Sequence, residues 1–189
     1  MSEAALYRGQ DVCIVGGANS AGQGALFFSR YARKVTMLVR GSGLSSSMSQ
    51  YLVERIKGVT NIEVLTGVEV SSVGGNGRLE HVCLHDIQSN EIRALNAAAM
   101  FIFIGVAPRS EPFADVLERD ERGFILTGLD LARPPRGWTL DRDPLLFETS
   151  MPGVFAAGDV RAGANRRVAA AVGEGSAAIH SVQQYLRTV

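Results

Sequence analysis

The chain has 189 residues, 19 Lys+Arg against 19 Asp+Glu, and 46% hydrophobic content, which excludes intrinsic disorder and collagen-like repeats. A formal net charge of zero provides no basic footprint for a nucleic-acid backbone. The longest apolar run, Ala97 to Ala107, falls short of the ~20 residues a membrane helix needs.

The opening residues, MSEAALYRGQDV, lack a basic segment followed by an apolar core. A secretory leader is therefore not expected, and a cytoplasmic location is. Asp11 to Val15 is a short apolar run ending at Gly16-Gly17, the pattern of a buried strand that stops at a tight turn. Asn19 or Ser20 can then cap a helix, in which Ala21, Ala25, Phe28 and Ala32 form one apolar stripe. Val35 to Val39 is a second strand, completing a parallel strand, helix, strand unit. After a Gly/Ser loop from Gly41 to Ser49, Gln50 to Lys57 has a short helical pattern and Asn61 to Leu65 returns as a strand.

Val68 to Val73, Leu79 to Leu84 and Ile92 to Leu95 are separated by Gly/Asn turns and read as an antiparallel meander. Within it, His81 and His85 share one face, read as a solvated strand surface rather than a metal site. Ala98 to Gly105 is a continuous apolar run, as expected of a strand buried on both faces. Glu111 to Asp143 is loop-rich, with Trp138 as a packing anchor. Gly153 to Ala157 reads as a buried strand ending at Gly158-Asp159, followed by a helix from about Arg167 to Leu186. That helix carries Val168, Val172, Ile179, Val182 and Leu186 on one side. Cys13 and Cys83 lie inside predicted strands and read as unpaired apolar residues of a reducing compartment.

A strand, a glycine turn and a helix N-terminus together direct several N–H groups and the positive end of a helix dipole at one place, which suits a phosphate. Gly16-Gly17-Ala18-Asn19-Ser20-Ala21 follows the dinucleotide pattern G-x-G-x-x-G/A at its first and last small residues. Its middle position, where a missing Cβ lets a pyrophosphate touch the backbone, is Ala18. Nucleotide binding and a purely structural turn both fit this motif. The second strand ends at Val39-Arg40 with no acid nearby, which favours NADP over NAD because an arginine there can hold a 2'-phosphate. A solvated loop arginine is the alternative.

The segments VCIVGGANSAGQGALFFSRYARKVTMLVRG, FIFIGVAPRS, TSMPGVFAAGDVR and NRRVAAAVGEGSAAI resemble the thioredoxin reductase-like pyridine nucleotide-disulfide oxidoreductases over roughly residues 6 to 187. Thr149 to Asp159 is the most specific part. The resemblance implies an α/β fold: a Rossmann-like NADPH domain, with a parallel sheet and an antiparallel meander, at 8–107. The C-terminal half of a split FAD/NAD(P)-binding domain follows at 108–189. It implies hydride transfer from NADPH to FAD and on to a redox protein or small-molecule electron acceptor, in a homodimer. By position, Gly16, Gly17, Ala18, Asn19, Ser20 and Ala21 would line the NADPH pyrophosphate and Arg40 the 2'-phosphate. Gly105 and Pro108 would mark the crossing into the flavin domain. Gly158 and Asp159 would hold the ribityl and phosphate side of FAD, while Arg166, Arg167 and Val168 would reach the isoalloxazine edge.

Two departures qualify the resemblance. The family's N-terminal flavin half, with its own glycine turn, does not precede the nicotinamide segment, so the chain is expected to be a fragment or truncated form of a longer reductase. A nicotinamide-binding or structural module without turnover is the alternative. The Cys-x-x-Cys of reductases that act on thioredoxin would place its second cysteine near Ser2, and Cys13 and Cys83 cannot replace a dithiol of adjacent, accessible sulfurs. The resemblance extends to relatives without the dithiol, including ferredoxin or flavodoxin NADP reductases and forms fused to a cyclic nucleotide-binding domain.

Overall fold

The computed structural model describes residues 3–132 and 134–188, so Ser2, the position aligned with the second cysteine, lies outside the described residues. The chain divides into two compact units, Met1–Gly105 and Val106–Val189.

In the first unit, strand β1 (Asp11–Val15) leads through helix α1 (Asn19–Phe28) to β2 (Lys34–Val39), then through α2 (Gln50–Lys57) to β3 (Ile62–Thr66). Strands β4 (Val68–Gly74), β5 (His81–Asp86) and β6 (Ile92–Asn96) follow, and β7 (Ala99–Ile102) closes the unit. The parallel sheet has the order β3-β2-β1-β7, and β4-β5-β6 form a separate antiparallel sheet with a bulge between Val70 and Ser72. Alternation along β1 explains the layering. Val12 and Ile14 join Ala21, Ala25, Met37, Leu52, Val53 and Ile56 in one core. Cys13 points the other way, into a core with Leu38 of β2 and with Val68, Val82 and Leu84 from the meander. The parallel sheet is thus covered on both faces, as such sheets require. Each fully buried aliphatic side chain contributes about 1.5–3 kcal/mol.

The predicted apolar stripe of α1 is buried at Ala21, Ala25 and Phe28, where the helix ends; Ala32, expected as its last member, is buried but lies beyond the helix in the turn that leads to β2. Strand β7 departs from expectation. It pairs with β1 alone among the described strands, and Ile102 and Ile104 are exposed, the latter by 74%. An apolar run reports hydrophobicity on both sides of a strand but not whether a neighbour arrives to cover them.

The second unit has little regular structure besides helix α3 (Val168–Tyr185) and short 3-10 turns, including Gly158–Val160. Gly153 to Ala157 is not a strand. It makes a single bridge, Glu148 to Phe155, because extended backbone becomes a strand only where a neighbour exchanges a ladder of hydrogen bonds. A buried carboxylate ties this region together instead. Glu148, 0% exposed, accepts both Arg142 guanidinium nitrogens at 2.7 and 2.9 Å, and the backbone N–H groups of Leu145 (2.8 Å) and Gly153 (3.0 Å). Burial pushes the Glu148 carboxyl up, but the hydrogen bonds from Arg142, Gly153 and Leu145 outweigh it and hold it below its ordinary 4.5. The Arg142 guanidinium also lies over the rings of Trp138 and Tyr185, and Trp138 Nε1 donates to the Arg142 carbonyl at 2.7 Å. Trp138 is therefore the packing anchor expected. The apolar side predicted for the last helix is largely exposed at Val168, Val172, Ile179 and Leu186, while Ala178 and Ser181 are buried.

Candidate functional site: a glycine turn at the sheet edge and a Gly-Asp turn

The carboxyl ends of β1, β2 and β7 lie side by side, with Val15 opposite Leu38 and Ile102. Open parallel sheets place ligands at this edge. Gly16 leaves β1 with φ +133°, a conformation L side chains rarely adopt, and its N–H donates to the Leu38 carbonyl at 3.0 Å. A Cβ on Gly16 would collide with the Phe103 carbonyl oxygen, and one on Gly17 would lie 2.9 Å from Val39 Cγ1. Both glycines are thus required by close approach of neighbouring strands.

Ala18 occupies the N-cap position of α1 with φ −96° and ψ −179°, and its carbonyl accepts from Gly22 N–H at 3.1 Å. The expectation that Asn19 or Ser20 caps the helix is not met. No side chain caps α1, because the N-cap residue Ala18 carries no acceptor, and the Asn19 Oδ1 in the first turn accepts the Ser49 N–H at 2.8 Å. The first-turn N–H groups are therefore left without a side-chain acceptor, on a surface where Ala18, Asn19 and Ser20 are exposed and Ala21 is buried. Arg40 is exposed immediately past β2. The structure so gathers Gly16 to Ala21 and Arg40 at one edge, an arrangement that can receive a phosphate-bearing ligand. Gly105, three residues past β7, is exposed and is the last residue of the first unit.

The second unit holds the remaining predicted residues. Gly158 is buried with φ +74° and opens the 3-10 turn. Its N–H donates to Glu174 Oε2 at 2.7 Å, and Arg161 grips the same carboxylate at 3.1 and 2.7 Å. That amide is consequently occupied. The hydrogen bond from Arg161 holds the Glu174 carboxyl below its ordinary 4.5, against the opposing effect of burial. Asp159 is exposed. The Arg166 guanidinium stacks 4.4 Å above the Phe124 ring. Arg167 takes the N-cap position of α3 with no side-chain cap, and Val168 is 85% exposed.

Sequence reasoning missed the Ser47–Ser49 segment, Arg161 and Glu174. A lone carboxylate among the small residues of Ala169 to Ala178 was the available signal for Glu174. Both cysteines are unpaired. Burial pushes the Cys13 thiol up to about 11, so it stays protonated at neutral pH and offers no thiolate. His85 contacts Glu69 at 3.2 Å and Asn90 at 2.7 Å. Among the described residues no group of three or more His, Cys, Asp or Glu could hold a metal, and no helix is long and apolar enough to cross a membrane.

The sequence profile described as pyridine nucleotide-disulphide oxidoreductase matches residues 2–175. A 34.2 kDa protein in the rubredoxin operon of Clostridium pasteurianum is 28% identical over 98% of this chain and 54% of its own length. The thioredoxin reductase of Bacillus subtilis is 31% identical over 97% of this chain and 53% of its own length. The crystal structure of thioredoxin reductase from Streptococcus pyogenes superposes with a TM-score of 0.70 and 27% identity, covering 99% of this chain and 56% of that one. The chain thus spans about half the length of the relatives it matches.

Proposed function

Because the chain belongs to the pyridine nucleotide-disulphide oxidoreductases, in their thioredoxin reductase-like branch, we propose that it carries the NADPH site and the C-terminal flavin-side segment of a flavoprotein reductase. The observation that carries this is the uncapped N-terminus of α1 at the carboxyl edge of a parallel sheet whose neighbouring strand β2 is followed directly by Arg40. When bound, FAD supplies a carrier that accepts hydride from NADPH and passes electrons to an acceptor.

The residues divide the work as follows. The amides from Ala18 to Ala21 hold the NADPH diphosphate, stabilised by the helix dipole by about 0.3–1 kcal/mol. Arg40 pairs with the 2'-phosphate and sets the preference for NADPH over NADH. In the second unit the Gly158 amide is already bonded to Glu174, so Gly158 acts through its conformation and contact with FAD hydroxyls falls to Asp159. Arg167 and Val168, at the uncapped start of α3, place positive dipole where a reduced flavin gains charge. The acceptor is a redox protein or small molecule, and the working form is a homodimer.

A second reading, nicotinamide-nucleotide binding without turnover, is favoured by the Ala18 methyl at the position where the diphosphate approaches. Calorimetric titration with NADPH, paired with NADPH-dependent dye reduction after FAD addition, separates the two. Flavin absorbance and dye reduction above the no-enzyme rate support the reductase, and NADPH binding without either supports the module. No NADPH binding would defeat both. Ala18→Gly is expected to tighten NADPH binding by about 1 kcal/mol, roughly fivefold, and an unchanged affinity would mean that the diphosphate does not approach there.

A further inference from the structure

Three consecutive residues of the loop after β2 close on the glycine turn. Ser47 Oγ donates to the Gly17 carbonyl at 2.9 Å. Met48 packs so closely on α1 that a Cβ on Gly22 would lie 2.8 Å from its Cε. The Ser49 N–H donates to Asn19 Oδ1 at 2.8 Å. The first of these contacts sets a direction. A trans peptide is planar, with its C=O and N–H pointing opposite ways, so fixing the Gly17 carbonyl toward Ser47 turns the Ala18 N–H away from the loop. Ala18 is exposed and extended there.

We propose that Ser47 is a positioning residue for nicotinamide-nucleotide binding: by holding the Gly17 carbonyl it aims the Ala18 amide at the ligand diphosphate. The proposal rests on the reading of the glycine turn as the diphosphate site. It supplies a reason why a turn with Ala18 at its middle position keeps its shape, since the loop restrains the peptide from the side opposite the ligand. Because the same loop begins at Arg40, it also links the turn to the residue assigned to the 2'-phosphate.

The test compares the 189-residue chain with Ser47→Ala and Ser47→Thr, by calorimetric titration with NADPH and, separately, with adenosine 2'-monophosphate, which lacks the diphosphate. Ser47→Ala should weaken NADPH binding about 3- to 10-fold, the worth of one oriented hydrogen bond. Its affinity for adenosine 2'-monophosphate should stay within about twofold, and Ser47→Thr, which retains a hydroxyl, should restore NADPH binding. An NADPH affinity in Ser47→Ala equal to the unsubstituted chain overturns the proposal while leaving the diphosphate site intact. Equal losses for both ligands overturn it as well, since they mark general loop damage. Failure of the unsubstituted chain to bind NADPH removes the underlying reading and the proposal with it.

Discussion

Gly16 combines a φ of +133° with a neighbouring carbonyl that occupies the space of a Cβ. Gly16→Ala must strain the backbone and displace the segment just past β7 at the same time, since the obstructing atom is the backbone oxygen of Phe103. A loss of about 2 kcal/mol or more is expected, together with loss of NADPH binding, measured by thermal unfolding and calorimetry. Two ion pairs set a contrast of environment. Arg33 and Asp11 meet at 2.6 Å, but the arginine side chain is 71% exposed, so Asp11→Ala should cost less than about 1 kcal/mol. Glu148 is fully buried and accepts four hydrogen bonds. Removing it as Glu148→Ala takes the carboxylate away from the Arg142 guanidinium and leaves two backbone donors without their acceptor, a loss of about 3–5 kcal/mol. Denaturant unfolding of the two variants checks the ordering, and equal losses would contradict it.

Among elements, α3 depends on a charged link to the Gly158–Val160 turn. Glu174 bonds Gly158 and Arg161 from within the helix, and its carboxyl is held below its ordinary 4.5. An acid depressed on folding contributes stability that is complete above the unfolded value and is lost as pH falls through the folded one. Glu174→Gln should therefore be less stable than the unsubstituted chain at pH 7 by about 1–2 kcal/mol, read from thermal unfolding, and the gap should close as pH drops below 4.5. A gap that persists unchanged to pH 3 would contradict the link.

The same elements show which features can be read from sequence. Helix α2 and strand β1 were legible to the residue, and the meander nearly so, because periodicity and Gly/Asn turns are local signals. The edge position of β7, the absence of a strand at Gly153 to Ala157 and the exposure of α3 depend on partners distant in sequence. At the candidate site the glycines were visible in the strand-turn-helix pattern. The diversion of Asn19 to Ser49 and the grip of Ser47 on Gly17 span 30 residues, and no local pattern reports them.

For the molecule as a whole, family membership rests on a match over residues 2–175, and the proposed chemistry begins at one edge of one sheet. The most direct test is a backbone amide NMR titration of the 189-residue chain with NADPH. The largest shifts are expected at Ala18 to Ala21 and Arg40, with strands β4 to β6 unmoved. A saturating titration that leaves Gly16 to Ala21 unshifted would contradict the diphosphate site.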